Sequence, residues 1–245
     1  MTAGMCTIPE GGNPYGLIPA LCQGGYVAQL TFLVMAIMFV GTLYILFTKL
    51  LEQNKVLKQG KAIAAGFWRA PTLAEGAAKL EKNSAYRQVV EDGLRANEEH
   101  NKLTDPVEAH DWMHGTLERS QNHINSKLNG GLAFLATVGS TAPFVGLFGT
   151  VIGILNALVK IGASGQASID AVAGPVGEAL IMTAIGLLVA VPAVLAYNWL
   201  QSRNKEISRD LSTFANDVLG SIMSNGQVKP ISSAAPAAKA APAKA

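Results

Sequence analysis

Three stretches of the chain carry no Asp, Glu, Lys, Arg or His: residues 26–47, 128–159 and 179–202. About 20 apolar residues in a helix span a bilayer core, so each stretch predicts a transmembrane helix. The middle one, at 32 residues, would be about 48 Å long at 1.5 Å per residue, longer than a hydrocarbon core of roughly 30 Å. It is expected to project beyond the membrane, and the polar sequence upstream from about Val107 suits that continuation. Small residues recur along it at Ala136, Gly139, Pro143, Gly146, Thr150, Gly153 and Ala157. Steps of three and four place them on one helical stripe, the pattern of a membrane helix with close neighbours. The third stretch repeats the design with Ala179, Thr183, Gly186, Ala190 and Ala193. The first has no comparable stripe and is expected to face lipid.

Between the first two spans the pattern changes to polar helix. Periodicity is visible around Leu73–Leu80 and from Val107 to Leu117, interrupted by Pro71 and by Asp105-Pro106, a helix-start signal. Residues 48–127 therefore predict a small helical bundle continuous with the second and third spans. Residues 230–245 form a Pro/Ala/Lys tail of low complexity that cannot bury a core and is expected to be disordered. The predicted fold is an all-α integral membrane protein with three transmembrane helices, two of them extended into a cytoplasmic helical bundle. Its segments are an N-terminal stub (1–25), the first span (26–47), the cytoplasmic domain (48–127), the second span (128–159), a short external loop (160–173), the third span (174–202), a cytoplasmic helix (203–229) and the tail (230–245).

Charge gives the orientation. Residues 1–25 contain no Lys or Arg, residues 48–127 contain twelve, residues 160–171 contain Lys160 alone, and the part after the third span contains six. The positive-inside rule then puts the N-terminus outside and the C-terminus inside. The first span lacks a basic n-region, and its 22 apolar residues exceed the 7–15 of a cleaved signal, so it predicts a retained anchor. With 15% charged residues, a net charge of +2 and a mean hydropathy of +0.28, the composition suits a membrane and gives no reason to expect nucleic acid. Cys6 and Cys22 both lie on the external stub, where a disulfide can form; a bridge and two independent thiols remain equally open.

Candidate chemistry is sparse. Thr150 and Thr183 each place one hydroxyl on a small-residue stripe, either as a polar collar around a shared pore or as a side chain bonded to its own helix. Glu178 stands at the threshold of the third span, where ionisable residues are functional candidates. Alternatively, Pro175 marks the first helical turn and Glu178 simply complements the helix dipole. Neither stripe holds a titratable group, so a proton path through them needs a carboxylate from another chain. Pro143 and Pro192 fall mid-span. His110-Asp111-Trp112-Met113-His114 has the i, i+4 spacing of a zinc protease helix, but Asp stands where Glu would be the base and no third ligand follows. No metal site and no catalysis are expected.

The runs Gly139-Ser-Thr-Ala-Pro143-Phe-Val-Gly-Leu-Phe-Gly-Thr150-Val-Ile-Gly153-Ile and Glu178-Ala-Leu-Ile-Met-Thr183-Ala-Ile-Gly-Leu, with Val191-Pro-Ala-Val-Leu-Ala-Tyr-Asn198, resemble the MotA/TolQ/ExbB family of proton-channel subunits. The resemblance covers about residues 125–200 and is strongest to the ExbB branch; a three-span layout also suits the TolQ branch and argues against the four-span MotA branch. Gly174-Pro175, Met182 and Ile152 depart from the family pattern. The resemblance implies a homopentamer whose second and third spans line a pore, with helices of an ExbD-like single-span subunit inside it. That subunit would supply the carboxylate, and proton flow would energise a TonB-like transducer from the bacterial inner membrane. It implies Thr150 and Thr183 as pore threonines and Glu178 as the acidic residue, with protons as the coupling ion and no bound cofactor.

Overall fold

The computed structural model describes residues 25–100, 102–104, 107–164 and 169–228. Cys6 and Cys22, and the tail from residue 229, lie outside the described residues. Among those described there is helix and no strand: α1 (Gly25–Gly66), a 3-10 turn (Phe67–Arg69), α2 (Leu73–Ala78), α3 (Ala85–His100), α4 (Ala109–Asn129), α5 (Leu132–Ser164) and α6 (Ile169–Met223). Three of the helical stretches are long and apolar enough to cross a membrane.

Breaks between helices follow local chemistry. After α1, Pro71 stops helical continuation, and Thr72 restarts it as an N-cap whose Oγ1 accepts from the Glu75 N–H at 3.2 Å. Between α4 and α5 the chain turns through Gly131 at φ +85°. A side chain is doubly excluded there, because a Cβ would also stand 3.1 Å from Ile45 Cγ2. The polar helix upstream of the second span is therefore separated from it by the two glycines Gly130 and Gly131. Helix α3 was not marked by the periodicity of the sequence; its buried positions Tyr86, Val89, Val90, Gly93 and Ala96 are interspersed with charges.

The chain divides into two compact units. One combines the residues up to Thr48 with Gly131–Leu200, and the other combines Lys49–Gly130 with the residues from Gln201 onward. In the first unit Ala28, Met35, Val138, Ala142, Met182, Val189, Ala190 and Ala193 form a single apolar cluster. Its outer faces keep Tyr26, Leu30, Ile37, Val40, Phe144, Leu158, Leu180 and Leu195 exposed. Exposure on that scale is foreign to a water-facing surface and suits hydrocarbon. In the second unit α3, α4 and the last part of α6 bury Val89, Val90, Met113, Leu117, Ile207, Leu211 and Val218. Phe214 packs edge-on against Phe67 and Tyr86, with ring centroids 5.3 and 5.2 Å away.

The expectation that the first span only faces lipid needs correction. Ala28, Thr31, Met35 and Thr42 of α1 are buried, and a Cβ on Gly41 would meet the Phe134 ring at 2.8 Å. Positions 28, 31, 35 and 42 share one helical face, so α1 packs along that face and leaves the other outward. Met35 is fully buried there, in one cluster with Val138, Ala142 and Met182.

Candidate functional site

Helices α5 and α6 approach closely because their stripes are small. A Cβ built on Gly146 would lie 2.8 Å from Met182 O and 3.1 Å from Gly186 Cα, and one on Gly186 would lie 2.9 Å from Ala142 O. Backbone thus meets backbone, the arrangement that small residues permit between membrane helices. Seven residues further along α5, Gly153 faces Ala179, with its Cβ position 3.7 Å from that of Ala179. Since Ala179 precedes Gly186 by seven, the pair runs antiparallel.

This register sets the two threonines at one level. Thr150 and Thr183 fall between the Gly146–Gly186 and Gly153–Ala179 contacts, at one level of the helix pair. Thr150 is buried, and its Oγ1 donates to Leu147 O at 2.7 Å, back into its own helix. Thr183 is half-buried. At the same level Thr31 of α1 enters, its Cγ2 lying 3.2 Å from a Cβ position on Gly149, where Met182 Cβ also stands at 3.4 Å. Met182 is fully buried in that three-helix junction. The bulk it brings is matched by the absence of a side chain on Gly149.

The other stripe positions are engaged inside the single chain. Ala157, Ala179, Ala190 and Ala193 are buried, Gly139 packs against Val194, and Pro143 is half-buried. Both prolines are accommodated within continuous helix.

Glu178 lies within α6, and its side chain is outside the described ones. The placement of Pro175 is corrected: α6 is already helical at Ile169, so Pro175 is not in its first turn. Pro175 is interior to the helix, where it removes one backbone donor, and Glu178 stands more than two turns beyond Ile169. The helix dipole, which acts within the first turn, therefore does not account for a carboxylate at this position.

His110 and His114 stack on α4 with ring centroids 6.0 Å apart, and His110 Nδ1 lies 3.2 Å from Asp111 Oδ1. Among the described residues no group of three or more His, Cys, Asp or Glu side chains could hold a metal ion. In the second unit, burial together with the charge of Asp210 pushes the Tyr86 hydroxyl up to about 12. The hydrogen bond and charge of Lys55 hold Glu81 below the usual carboxylate range. One polar cluster gave no signal in the sequence. Gln53 and Asn204, both buried, join at 2.7 Å, although each sits among charged residues that read as surface.

Residues 81–213, more than half of the chain, match the MotA/TolQ/ExbB proton channel family. The chain belongs to that family. With three helices of spanning length it is a multi-pass membrane protein. The biopolymer transport protein ExbB of Xanthomonas campestris pv. campestris (strain B100) is 42% identical over 166 residues, 64% of this chain and 66% of that protein. The ExbB of Neisseria gonorrhoeae is 48% identical over 120 residues, 49% of this chain and 54% of that protein. The Tol-Pal system protein TolQ of Pseudomonas aeruginosa is 34% identical over 206 residues, 80% of this chain and 88% of that protein. The chain thus spans just under two thirds of the Xanthomonas relative's length and about half of the Neisseria one's.

Proposed function

We propose that the chain is an ExbB-like subunit of an inner-membrane motor that couples proton flow to TonB-dependent outer-membrane transport. The observation that carries the reading is the antiparallel α5–α6 pair, with Thr150 and Thr183 at one level and no titratable side chain on either stripe. Such a surface guides protons but cannot hold one, so the proton-carrying carboxylate comes from a partner. An ExbD-like single-span subunit, enclosed by a homo-oligomer of this chain and most simply a pentamer, fits that need, and a TonB-like transducer would take up the work. The Lys and Arg distribution supports a periplasmic N-terminus and a cytoplasmic C-terminus. Glu178 belongs to the same proton path by resemblance to the family.

A deletion strain grown on iron held in a bulky siderophore tests the proposal. Rescue by wild type, and its loss with Thr150→Val or Thr183→Val at matched protein level, is expected. Equal rescue by all three would remove the threonine hydroxyls from the mechanism.

A TolQ-like role in envelope integrity is the second reading, favoured by the longer stretch of chain aligned with the Pseudomonas protein. Iron uptake unchanged by the deletion, with periplasmic leakage and detergent sensitivity in its place, would establish that reading over the first.

A further inference from the structure

Helix α4 carries two imidazoles on its outer face, in a part of the chain that the motor reading does not use. His110 and His114 are both exposed, and their rings stack with centroids 6.0 Å apart and planes 21° from parallel. Four residues rise about 6 Å along a helix, so the rings leave successive turns side by side. His110 Nδ1 meets Asp111 Oδ1 at 3.2 Å. An ionised carboxylate only accepts, so this contact puts the ring proton on Nδ1 and leaves the lone pair on Nε2. Among the described residues nothing hydrogen-bonds to His110 Nε2 or to either nitrogen of His114.

Imidazoles at i and i+4 are the spacing with which one helix offers two nitrogens to a single metal ion. Metal–nitrogen bonds of about 2.0–2.1 Å need the two Nε2 atoms roughly 3 Å apart. Exposed rings on successive turns reach that separation by tilting about their own side-chain torsions. Asp111 stands where a carboxylate behind a ligating histidine fixes the tautomer and raises the basicity of the free nitrogen. Charge points the same way: residues 108–118 hold Glu108, Asp111 and Glu118 and no Lys or Arg. The next residue, Arg119, is engaged elsewhere, its guanidinium 5.9 Å from the Trp112 ring centroid and its Nη2 donating to Thr116 Oγ1 at 2.9 Å. Hydrolysis would need a free base beside the metal, and Asp111 is occupied with the ring. The arrangement binds and does not catalyse.

We propose that His110 and His114 form a two-imidazole site for a late divalent transition-metal ion, nickel(II), copper(II) or zinc(II), with water completing the coordination shell. The site does not rest on the motor reading. Neutral ring nitrogens suit these ions, whereas magnesium and calcium take oxygen ligands. The bound ion clamps the first two turns of α4 on their outer side. The inner side of the same turns holds Met113, fully buried, and Trp112, whose Nε1 donates to Ala96 O of α3 at 3.0 Å. Metal therefore stiffens the turns through which α4 packs on α3.

Calorimetric titration of the full-length protein in detergent with nickel(II) chloride, after purification without a histidine tag, tests the site. One ion per chain is expected. His110→Gln and His114→Gln should each weaken binding by about a hundredfold or more, because the second nitrogen of a chelate closes at high effective concentration. Asp111→Asn should weaken it by about tenfold, while His123→Gln leaves it unchanged and magnesium chloride does not bind. These positions are exposed, and helical circular dichroism checks that each variant folds as wild type does. No binding by wild type overturns the proposal. So does wild-type affinity in the His110→Gln, His114→Gln double variant, which would mean an adventitious ion only. Loss in just one of the two single variants would mean a lone imidazole, and one ion per two chains a bridge between copies; either also overturns it. Electron paramagnetic resonance with copper(II) decides independently of affinity. Two nitrogens coupled to the metal in wild type and one in either single variant are expected, and a single nitrogen in wild type rules the chelate out.

Discussion

Gln53 Nε2 donates to Asn204 Oδ1 at 2.7 Å, joining α1 to α6 across 151 positions of sequence. Asn204 Nδ2 in turn donates to Leu128 O at 3.1 Å and to Asn129 Oδ1 at 2.9 Å, at the end of α4. Lys49 Nζ adds a bond to Lys127 O at 2.8 Å. Three helices of the second unit are thus held in register by a few polar contacts that no apolar pair could replace with equal directionality.

Removing the centre of that network is expected to be costly. Asn204→Leu takes away the partner of the buried Gln53 amide and leaves the Leu128 carbonyl without its side-chain donor. A loss of about 1–3 kcal/mol follows from stranding buried polar groups. The double change Gln53→Leu, Asn204→Leu should lose less than the sum of the single changes, because it removes both ends of the bond. Thermal unfolding of the four proteins in detergent, read as a double-mutant cycle, measures the coupling.

The glycines of the membrane helices are predicted to differ sharply among themselves. Gly146→Ala and Gly186→Ala drive a methyl group into the backbone of the opposite helix, at 2.8 and 2.9 Å from carbonyl oxygens. Neither helix can yield without moving as a whole, and overpacking of this sort costs about 1–3 kcal/mol. Gly153→Ala meets only Ala179 Cβ at an ordinary 3.7 Å, and the gain in helix propensity makes it neutral or stabilising. Thermal midpoints of the three purified variants give the order.

Thr150→Val should leave folding nearly intact. The Thr150 hydroxyl bonds to Leu147 O within its own helix, and that carbonyl keeps its helical N–H partner. A stability change within about 1 kcal/mol is expected, checked by thermal unfolding beside wild type. Loss of transport in the same variant would then report on the hydroxyl and not on the fold.

Tyr86 sets an alkaline limit. Burial, aided by the negative charge of Asp210, raises its hydroxyl from 10.0 to about 12. A group whose pKa is raised on folding contributes stability that is fully present below pH 10 and is lost as the pH climbs through about 12. Tyr86→Phe keeps the edge-on packing against Phe214 and removes that titration. Its stability should fall less than that of wild type between pH 10 and 12, followed by helical circular dichroism. The tyrosinate absorbance of wild type should show one late-titrating group that the variant lacks.

Much of this arrangement was legible in the sequence, and the reasons can be named. A bilayer leaves a helix no means of satisfying its backbone except internally, so uninterrupted apolar runs such as residues 128–159 declare themselves by length alone. Steps of three and four mark which residues share a face, and Thr150 with Gly146 and Gly153 is visible that way. Short polar helices with charges between buried positions carry a weaker pattern, which is why α3 was missed. The helical residues ahead of Pro175 were missed because Pro175 imitates a helix boundary. Gln53 and Asn204 were invisible because a polar residue buried against another polar residue has the same letters as one in water.

The sequence by itself determined the helical class, the three apolar runs and the faces on which small residues lie, because lipid solvation and the 3.6-residue period act along a single helix. Only the tertiary structure decided which face meets which. It set Gly146 against Gly186, put Thr150 level with Thr183, turned Met35 inward and closed Gln53 on Asn204. Those choices depend on the register between segments far apart in the chain, set by the fit of Met182 over Gly149 and of backbone against backbone, and periodicity within one segment holds no record of its opposite number.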